Sequence, residues 1–275
     1  MAQHTIRGLT ATGRVAAVDL AWEPLPWEPL VDHYAVYAAR GRAPEPGPRT
    51  LLAKTLYPHF THAVLGPEAV TWHYKVVAVV ASGERGRPAA ASATTEPSYA
   101  IGEPLVAVGS FDHQGLEFAL SPNGSSRYLA TFPAGVDYRY GTSRPENDWP
   151  YLHPGPADSW AGRRAHTFTL RFALDAPPTA DPGFALWLTD SHATIPGKAR
   201  LAVNGTEITV IEFARGATKG SLEGDATRPG TPLKPSFVEL PLPAGAFTAG
   251  ENTLTLAKTE GSWHAYDAIG VFAAR

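Results

Sequence analysis

The chain has 275 residues, of which 44% are hydrophobic and 18% charged, and its 23 basic and 26 acidic side chains give a net charge of -3. This length suits two domains, each large enough to bury its own core. The weak net charge argues against nucleic-acid binding and against a polybasic membrane contact. Because the chain contains no cysteine, disulfides, zinc–thiolate sites and cysteine nucleophiles are excluded.

The distribution of glycine, proline and apolar residues indicates many short strands. Glycine and proline number 26 each, which favours strands joined by turns. The longest apolar run, residues 76–81, is too short to cross a bilayer. The first residues lack the basic start and apolar segment of a signal peptide. We therefore expect either an intracellular protein or a piece of a larger exported chain, and we favour the second, extracellular alternative.

The first 97 residues contain a series of strand-like segments separated by turns. About seven short strands at this spacing predict an immunoglobulin-like sandwich. The clearest segments are residues 15–22, 32–38, 51–57, 60–65 and 71–80.

Three motifs in this region resemble those of a fibronectin type III domain. They are Leu-x-Trp at residues 20–22, Tyr-x-Val-Tyr at 34–37 and Tyr-Lys-Val-Val-Ala-Val at 74–79. The resemblance implies a fibronectin type III-like sandwich over residues 1–97. One position departs from the family pattern: Trp72 stands where the family has its corner tyrosine, and an indole N–H donates with a different geometry.

Residues 94–100 read as a linker, and strand signals resume beyond it. Asn204 and Gly205 supply the positive φ values of a type I′ turn, so residues 201–210 are predicted to form a hairpin. About eight strands with long loops predict a jelly-roll β-sandwich over residues 98–275. The strand-like segments are residues 105–108, 165–174, 184–188, 200–203, 207–211, 236–240, 252–256 and 268–272.

Residues 138–160 are unusually rich in aromatic residues and proline. That much proline predicts a loop, and large aromatic side chains on a loop either pack down or meet a ligand. Trp149, Tyr151 and Trp160 are candidates for stacking on sugar rings. The alternative is that Trp149 and Trp160 anchor the loop on the sandwich. Trp263 and His264 precede the last strand and are candidates for the same rim.

A sugar chain that carries uronates would also need cations. Arg144 and Arg163 are loop-borne, and arginine pairs with carboxylates in a bidentate manner; Asp148 is a further polar candidate beside Trp149. Arg164 and Lys198 are available as well. The alternative for each basic residue is a solvated surface charge.

Several motifs of the second half together resemble the C-terminal domain of rhamnogalacturonan lyases, polysaccharide lyase family 4. They occur in the family's order. The matching stretches are residues 108–116, 138–143, 147–150, 203–205, 249–256 and 266–272.

This resemblance implies a carbohydrate-binding-like, galactose-binding-like jelly roll. In that family a fibronectin-like domain directly precedes this one, and the catalytic lysine and histidine lie in a further N-terminal domain. No family catalytic residue is therefore carried over to this chain. The resemblance implies a pectic polysaccharide as ligand and a catalytic lyase domain as partner.

Jelly-roll sugar-binding domains often hold a structural calcium ion between their first and last strands, bound by carboxylates and backbone carbonyls. Asp112, Glu117 and Asp267 occupy about those places. We therefore predict calcium at these residues. The alternatives are that Asp267 caps a turn or pairs with an arginine, and that Asp112 braces its own loop.

The sequence contains no nucleophile elbow, zinc-protease motif, P-loop or dinucleotide fingerprint. We therefore predict a noncatalytic carbohydrate-binding portion of a polysaccharide lyase that binds pectic rhamnogalacturonan. One alternative is a lyase site assembled from His153, His166, Tyr151 and Arg163, with a base near the uronate. The other is a purely structural or adhesion module.

Overall fold

The computed structural model describes residues 4–25, 31–219 and 233–274. The chain divides into two compact units, Met1–Ser98 and Tyr99–Arg275, here called unit 1 and unit 2. Across the described ranges, no helix is long and apolar enough to span a membrane. The chain is mostly β-strand, which confirms the predicted all-β class.

Unit 1 is built from strands that pair in two antiparallel sheets. Among its described residues, the first sheet has the order β1-β2-β5 and the second has the order β4-β3-β6-β7. The strands are β1 (Thr10–Arg14), β2 (Ala17–Ala21), β3 (Val31–Arg40), β4 (Leu51–Thr55), β5 (His59–His62), β6 (Thr71–Val80) and β7 (Ala89–Thr94).

The core of unit 1 comes from alternate positions of these strands, as expected where one face of each strand is buried. Val18 and Leu20 of β2 pack in one cluster with Val36 of β3 and with Tyr74 and Val76 of β6. The arrangement is that of a β-sandwich. Its assignment to the fibronectin type III family remains a prediction.

Trp72 stands where the resemblance to fibronectin type III domains predicts a corner tyrosine. Its indole Nε1 is buried and has no hydrogen-bond partner among the described residues. The ring packs edge-on against His62 at 4.6 Å, and the Arg40 guanidinium lies 4.8 Å from its centre. Ring contacts, including a cation–π contact, therefore hold the Trp72 side chain in place.

Unit 2 contains two larger sheets. Over the residues that the structure describes, the first has the order β14-β13-β16-β11-β9, and the second has the order β10-β17-β12-β15 with β8 also paired to β17. The strands are β8 (Pro104–Gly109), β9 (Val136–Arg139), β10 (Leu152–His153), β11 (His166–Leu174), β12 (Gly183–Ser191), β13 (Lys198–Val203), β14 (Thr206–Glu212), β15 (Ser236–Pro241), β16 (Gly250–Glu260) and β17 (His264–Phe272).

Among the described residues of unit 2, the α-helices are single turns, α1 (Tyr128–Thr131) and α2 (Pro145–Asp148). The strand pairs are antiparallel except for β9 and β11, which run parallel. One hydrophobic cluster draws side chains from both sheets, among them Phe168 and Leu170 of β11 and Leu186 of β12. The predicted jelly-roll sandwich is confirmed.

Trp187 is fully buried, but it lies on the face of β12 that is opposite the core cluster. Its neighbour Leu186 points into the core cluster. Because side chains alternate along a strand, Trp187 lies on the opposite face of the sheet. There its ring packs against Phe237 at 4.9 Å, and its Nε1 donates a 2.9 Å hydrogen bond to Glu239 Oε1.

The predicted hairpin joins β13 to β14, with Val203 opposite Thr206. Asn204 and Gly205 have φ values of 49° and 79°, as a type I′ turn requires. The Asn204 side chain also accepts from the Thr253 N–H at 2.8 Å and donates to the Ala246 carbonyl at 2.9 Å. The turn is thus fixed by backbone conformation and by side-chain hydrogen bonds.

The proline-rich segment predicted as loop folds into short elements. It contains the end of β9, the single turn α2, the two-residue strand β10 and a 3-10 turn at Ser159–Ala161. The Tyr151 N–H donates to the Ala119 carbonyl at 3.0 Å. Hydrogen bonds of this kind hold the segment against the sandwich.

Candidate functional site

Three loops of unit 2 meet beside the start of β17. They follow β10, follow β12 and precede β17. Backbone hydrogen bonds join them: Ala157 N–H to Gly261 carbonyl at 2.9 Å, Ser262 N–H to Ile195 carbonyl at 2.8 Å, and His192 N–H to Trp263 carbonyl at 3.1 Å. These main-chain bonds fix the positions of the three loops relative to one another.

Two glycines allow the loops to approach this closely. Gly197 and Gly261 both have a φ of 73°, a left-handed conformation that other residues adopt at a cost. A Cβ added to Gly261 would lie 2.4 Å from the Gly197 Cα. Any larger residue would therefore force the two loops apart.

The three loops enclose a pocket of about 320 Å³, here called pocket A. This volume lies at the small end of the range usual for ligand sites, roughly 300–1,000 Å³. Aromatic and polar side chains line it together. They include Asp158, Ser159, Trp160, His192, Ser262 and Trp263.

The carboxylate of Asp158 holds two loops of pocket A together through hydrogen bonds. Its Oδ2 accepts from the Gly155 N–H at 2.8 Å, and its Oδ1 accepts from the Ser262 hydroxyl at 2.5 Å. Burial raises the pKa of this carboxyl, although both hydrogen bonds act in the opposite direction. Asp158 thus ties the loop after β10 to the loop before β17.

The two tryptophans of pocket A differ in exposure. Trp160 is half-buried on the 3-10 turn, where its ring packs edge-on against Tyr128 at 5.8 Å. Trp263 is only 3% exposed and lies 6.1 Å from the His192 ring. Trp160 is therefore the tryptophan of pocket A that can offer surface to a ligand, while Trp263 forms an inner wall.

The hydrogen bonds of His192 fix its tautomer. Its Nδ1 accepts from the Thr194 N–H at 3.2 Å and from the Ile195 N–H at 3.1 Å. A ring nitrogen that accepts carries no hydrogen, so the neutral imidazole has its hydrogen on Nε2.

A second pocket of about 220 Å³, here called pocket B, shares Trp263 with pocket A. It lies between the loop after β8 and the start of β17, and its lining includes Leu116, Pro122, Tyr151 and Tyr266. The loop lies tightly on β17, since a Cβ on Gly115 would be 2.5 Å from the Tyr266 carbonyl oxygen. Pocket B presents more apolar surface than pocket A does.

The structure brings together three of the predicted sugar-binding residues and separates the others from them. Trp160 and Trp263 line pocket A, and Trp263 and Tyr151 line pocket B. Tyr151 is 7% exposed, so it contributes an edge and not an open face.

Trp149 lies in the core and not at the surface. It is 1% exposed, and its ring packs edge-on against Phe168 at 5.3 Å, Tyr266 at 5.4 Å and Tyr138 at 5.7 Å. A fully enclosed indole offers no face to a sugar ring. The structure therefore favours the loop-anchor alternative for Trp149.

The charged candidates of the same segment serve local structure. Asp148 Oδ2 accepts from the Arg144 N–H at 2.8 Å, which closes the α2 turn. The Arg144 side chain is 74% exposed beside Glu146. Arg163 is exposed, with a φ of 55°, and neither arginine lines pocket A or pocket B. These positions suit the solvated-charge alternative.

His264 points into the core and not toward the rim. It is 0% exposed, and its Nδ1 lies 3.3 Å from the Nζ of Lys258. Lys258 is also fully buried, and its ammonium packs 3.9 Å from the centre of the Phe213 ring. Burial lowers the pKa of Lys258 to about 7 and that of His264 well below its usual value.

The two histidines of the alternative lyase site are not accessible to a substrate. His153 and His166 are 0% and 1% exposed. His153 is held between the Tyr266 hydroxyl at 2.8 Å and the His166 carbonyl at 2.9 Å, and burial lowers its pKa well below the usual range. A base must reach its substrate, and these imidazoles are enclosed.

The three predicted calcium ligands are neighbours. The Gln114 N–H lies 2.9 Å from both Asp112 Oδ1 and Asp267 Oδ1, while Glu117 Oε1 accepts from the Ser110 N–H at 2.9 Å. Asp267 Oδ2 is buried and has no hydrogen-bond partner among the described residues. Burial, with the charges of Asp112 and Glu117, raises the pKa of Asp267 to about 7.

These carboxylates nevertheless do not form a complete ligand set. Within residues 4–25, 31–219 and 233–274, no three acidic or histidine side chains are arranged to hold a metal ion. The unpartnered Oδ2 of Asp267 would suit a cation, but the other oxygens described accept from backbone N–H groups. Calcium binding at these residues therefore remains a prediction.

Sequence reasoning missed the polar half of pocket A. Asp158, Ser159, His192 and Ser262 come from loops that are distant in sequence, and no spacing pattern links them. One weak local signal existed, since Asp158 and Ser159 directly precede the candidate Trp160.

Part of this chain is similar to carbohydrate-binding modules of known structure. A family 35 module from an environmental isolate is 17% identical, with 40% of this chain and 66% of that chain covered and a TM-score of 0.26. The CBM35 from Paenibacillus barcinonensis is 17% identical, with 40% and 70% covered and a TM-score of 0.26. This chain thus spans just under two thirds of the first of these modules.

A longer but weaker overlap involves the alpha-L-rhamnosidase from Dictyoglumus thermophilum, which is 11% identical, with 98% of this chain and 29% of that chain covered and a TM-score of 0.27. Overlaps with such TM-scores carry no argument about ligand or activity. A comparison with curated proteins found no match.

The comparison with family models confirms the resemblance found in the second half. The family described as CBM-like, polysaccharide lyase family 4, domain III, matches residues 104–271. The match covers more than half of the chain and includes the strands and loops that form both pockets. The chain belongs to this family of CBM-like domains.

Proposed function

We propose that unit 2 is a noncatalytic carbohydrate-binding domain that binds a glycan in pocket A. The observation that carries this proposal is the partly exposed Trp160 beside the polar groups of Asp158, Ser159 and Ser262. Sugars present apolar C–H faces and hydroxyl edges, so an aromatic wall with convergent polar groups suits them. Membership in the CBM-like family supports the same function.

The ligand we propose is a pectic polysaccharide of the rhamnogalacturonan type, and the partner is a catalytic lyase domain of an exported enzyme. The family name links the domain to polysaccharide lyases. Unit 2 would hold the polysaccharide near that catalytic domain. A structural calcium ion at Asp112, Glu117 and Asp267 remains within the proposal.

A noncatalytic role is supported by the enclosure of the candidate bases. His153 and His166 are committed to hydrogen bonds within the core. If the chain acted as a lyase, incubation with the polysaccharide would produce unsaturated uronate ends, which absorb in the ultraviolet. We expect no such product.

The direct experiment is a titration of the protein with rhamnogalacturonan and with a panel of other plant glycans, monitored by tryptophan fluorescence. Binding beside Trp160 should shift or quench the emission with saturation. A flat response to every glycan, from protein with a cooperative melting transition, would remove the binding proposal.

A further inference from the structure

Two buried side chains hold the 3-10 turn that contains Trp160. His166, at the start of β11, is fully buried, and its Nε2 lies 2.8 Å from the carbonyl oxygen of Ala161, the residue after Trp160. Tyr128 of α1 is also fully buried, and its ring packs edge-on against Trp160 at 5.8 Å. The first contact fixes the backbone of the turn, and the second fixes the tryptophan ring.

A hydrogen bond joins these two side chains to each other. Because the Ala161 carbonyl can only accept, Nε2 of His166 carries the hydrogen, and Nδ1 of the neutral ring is an acceptor. The Tyr128 hydroxyl, 3.2 Å from that Nδ1, therefore donates to it. Hydrogen bonds thus link the Ala161 carbonyl through the His166 ring to the Tyr128 side chain, which contacts Trp160.

The turn Ser159–Ala161 supplies Ser159 and Trp160 to the lining of pocket A. Trp160 is half-buried there, so the orientation of its ring decides how much of its face a glycan can cover. When only a fraction of the molecules has the binding orientation, the apparent affinity falls by that fraction. The contacts of Tyr128 and His166 with the turn therefore bear directly on glycan binding.

Ionisable groups face His166 from the elements packed around it. They are Tyr128 of α1, His153 of β10, Asp158 of the loop after β10, Arg164 just before β11 and Lys258 of β16. Burial holds the pKa of His166 below its ordinary value, and the Arg164 charge acts in the same direction, although the bond to Ala161 and the Asp158 charge oppose it. The imidazole is therefore neutral at neutral pH. A proton added to Nδ1 would turn the acceptor of the Tyr128 hydroxyl into a donor.

We infer that His166 and Tyr128 are positioning residues of the glycan site, which hold the turn Ser159–Ala161 so that Trp160 faces the glycan, and that they do so only while His166 is neutral. The inference rests on the proposed glycan binding in pocket A. Neither residue contacts the ligand, and both act through Trp160. Acid releases the turn, so glycan affinity falls as His166 takes up a proton.

The test replaces the nitrogen atoms of His166. His166→Leu removes both hydrogen bonds, whereas His166→Gln keeps a donor for the Ala161 carbonyl and an acceptor for the Tyr128 hydroxyl. Phe172→Leu is the matched control for lost core packing, because Phe172 is a buried residue of the same strand that packs against Phe247. Calorimetric titration of each variant of the full chain with rhamnogalacturonan oligosaccharides, well below its Tm, measures Kd.

At neutral pH we expect His166→Leu to raise Kd about fivefold, which corresponds to about one molecule in five with the binding orientation. His166→Gln and Phe172→Leu should leave Kd unchanged. Between neutral pH and about pH 5, the wild-type protein should lose more affinity than His166→Gln does, because only the wild-type protein has an imidazole at this position. The other ionisable groups of pocket A, such as Asp158, are the same in both proteins.

An unchanged Kd in His166→Leu, a rise that Phe172→Leu reproduces, or equal losses of affinity in acid for the wild-type protein and His166→Gln would overturn the inference. Each of these results leaves glycan binding in pocket A intact. If His166→Leu does not fold, the comparison of the two pH profiles decides. If the wild-type protein binds no glycan, or binds it no more tightly than Trp160→Ala does, the proposed function fails and the inference falls with it.

Discussion

The Nζ of Lys258 lies 3.3 Å from the Nδ1 of His264, and both side chains are completely buried in unit 2. The lysine also donates to the Pro196 carbonyl and packs over the Phe213 ring. Taking an ammonium group out of water is costly, and an attraction to Asp158 offsets this only in part, so the pKa of Lys258 falls to about 7.

The lowered pKa of Lys258 predicts a pH-dependent stability. The pKa of Lys258 is about 7 in the folded chain and 10.5 in the unfolded chain. Between these two pH values the unfolded chain binds more protons than the folded chain, so the free energy of unfolding increases with pH. Lys258→Met should stabilise the protein by roughly 1–4 kcal/mol at pH 7, and the gain should shrink toward pH 10. Urea unfolding across this pH range measures it. A gain that is constant with pH would contradict the lowered pKa.

For Asp267 we expect the opposite pH dependence, a free energy of unfolding that falls as the pH rises. Its folded pKa is raised from 3.8 to about 7, so its contribution to stability is present at low pH and is lost as the pH rises through 7. Asp267→Asn keeps an acceptor for the Gln114 N–H and removes the charge. We expect a gain of roughly 2 kcal/mol at pH 8, after allowance for solvent screening, and little change at pH 4.

The same variant tests calcium. If the ion binds at this carboxylate, adding calcium at pH 8 should raise the Tm of the wild-type protein and leave that of Asp267→Asn unchanged. Equal Tm values of the wild-type protein with calcium and with a chelator would remove calcium from the proposal.

Burial of Trp149 predicts a loss of stability and not of affinity. Trp149→Ala should cost about 3–5 kcal/mol of unfolding free energy, because it empties the space between Phe168 and Tyr266. Trp149→Phe should cost less, since it keeps a ring there. Glycan affinity measured well below the Tm of the variant should be nearly unchanged. A normal Tm with lost affinity would instead restore Trp149 as a ligand contact.

Two variants of the hairpin turn separate the energetic cost of backbone strain from the cost of lost hydrogen bonds. Asn204→Gly keeps the positive φ but loses the bonds to Ala246 and Thr253, at a cost of about 1–3 kcal/mol. Asn204→Ala loses the same bonds and also strains the backbone, which adds about 1–2 kcal/mol. Chemical denaturation of both variants gives the two values. Equal losses would show that the positive φ is not strained in alanine.

The sequence predicted well those elements whose signal is local. Strand β6 was predicted as residues 71–80, and the structure has Thr71–Val80, because alternating large apolar residues lie between clear turns. Strands β1 and β7 were missed. Both alternate only between partly buried and exposed positions, and each lies at the edge of a sheet, so neither carries large apolar side chains.

The candidate site depends on contacts that no local pattern contains. Trp149 and Trp160 lie in one aromatic segment, yet Phe168 and Tyr266 from other strands enclose Trp149, while Trp160 stays half-exposed at pocket A. Their different positions follow from tertiary packing alone. The partners of Trp160 in pocket A, such as His192 and Ser262, come from loops brought together by backbone hydrogen bonds.

The most direct test of glycan binding in pocket A is calorimetric titration of rhamnogalacturonan oligosaccharides into the wild-type protein, Trp160→Ala and a matched control. Tyr140→Ala serves as the control, because Tyr140 is a 46% exposed aromatic residue that lines neither pocket. We predict that Trp160→Ala raises Kd at least about tenfold, or ~1.4 kcal/mol, and that Tyr140→Ala leaves it unchanged. Equal Kd values for the wild-type protein and Trp160→Ala would contradict binding in pocket A.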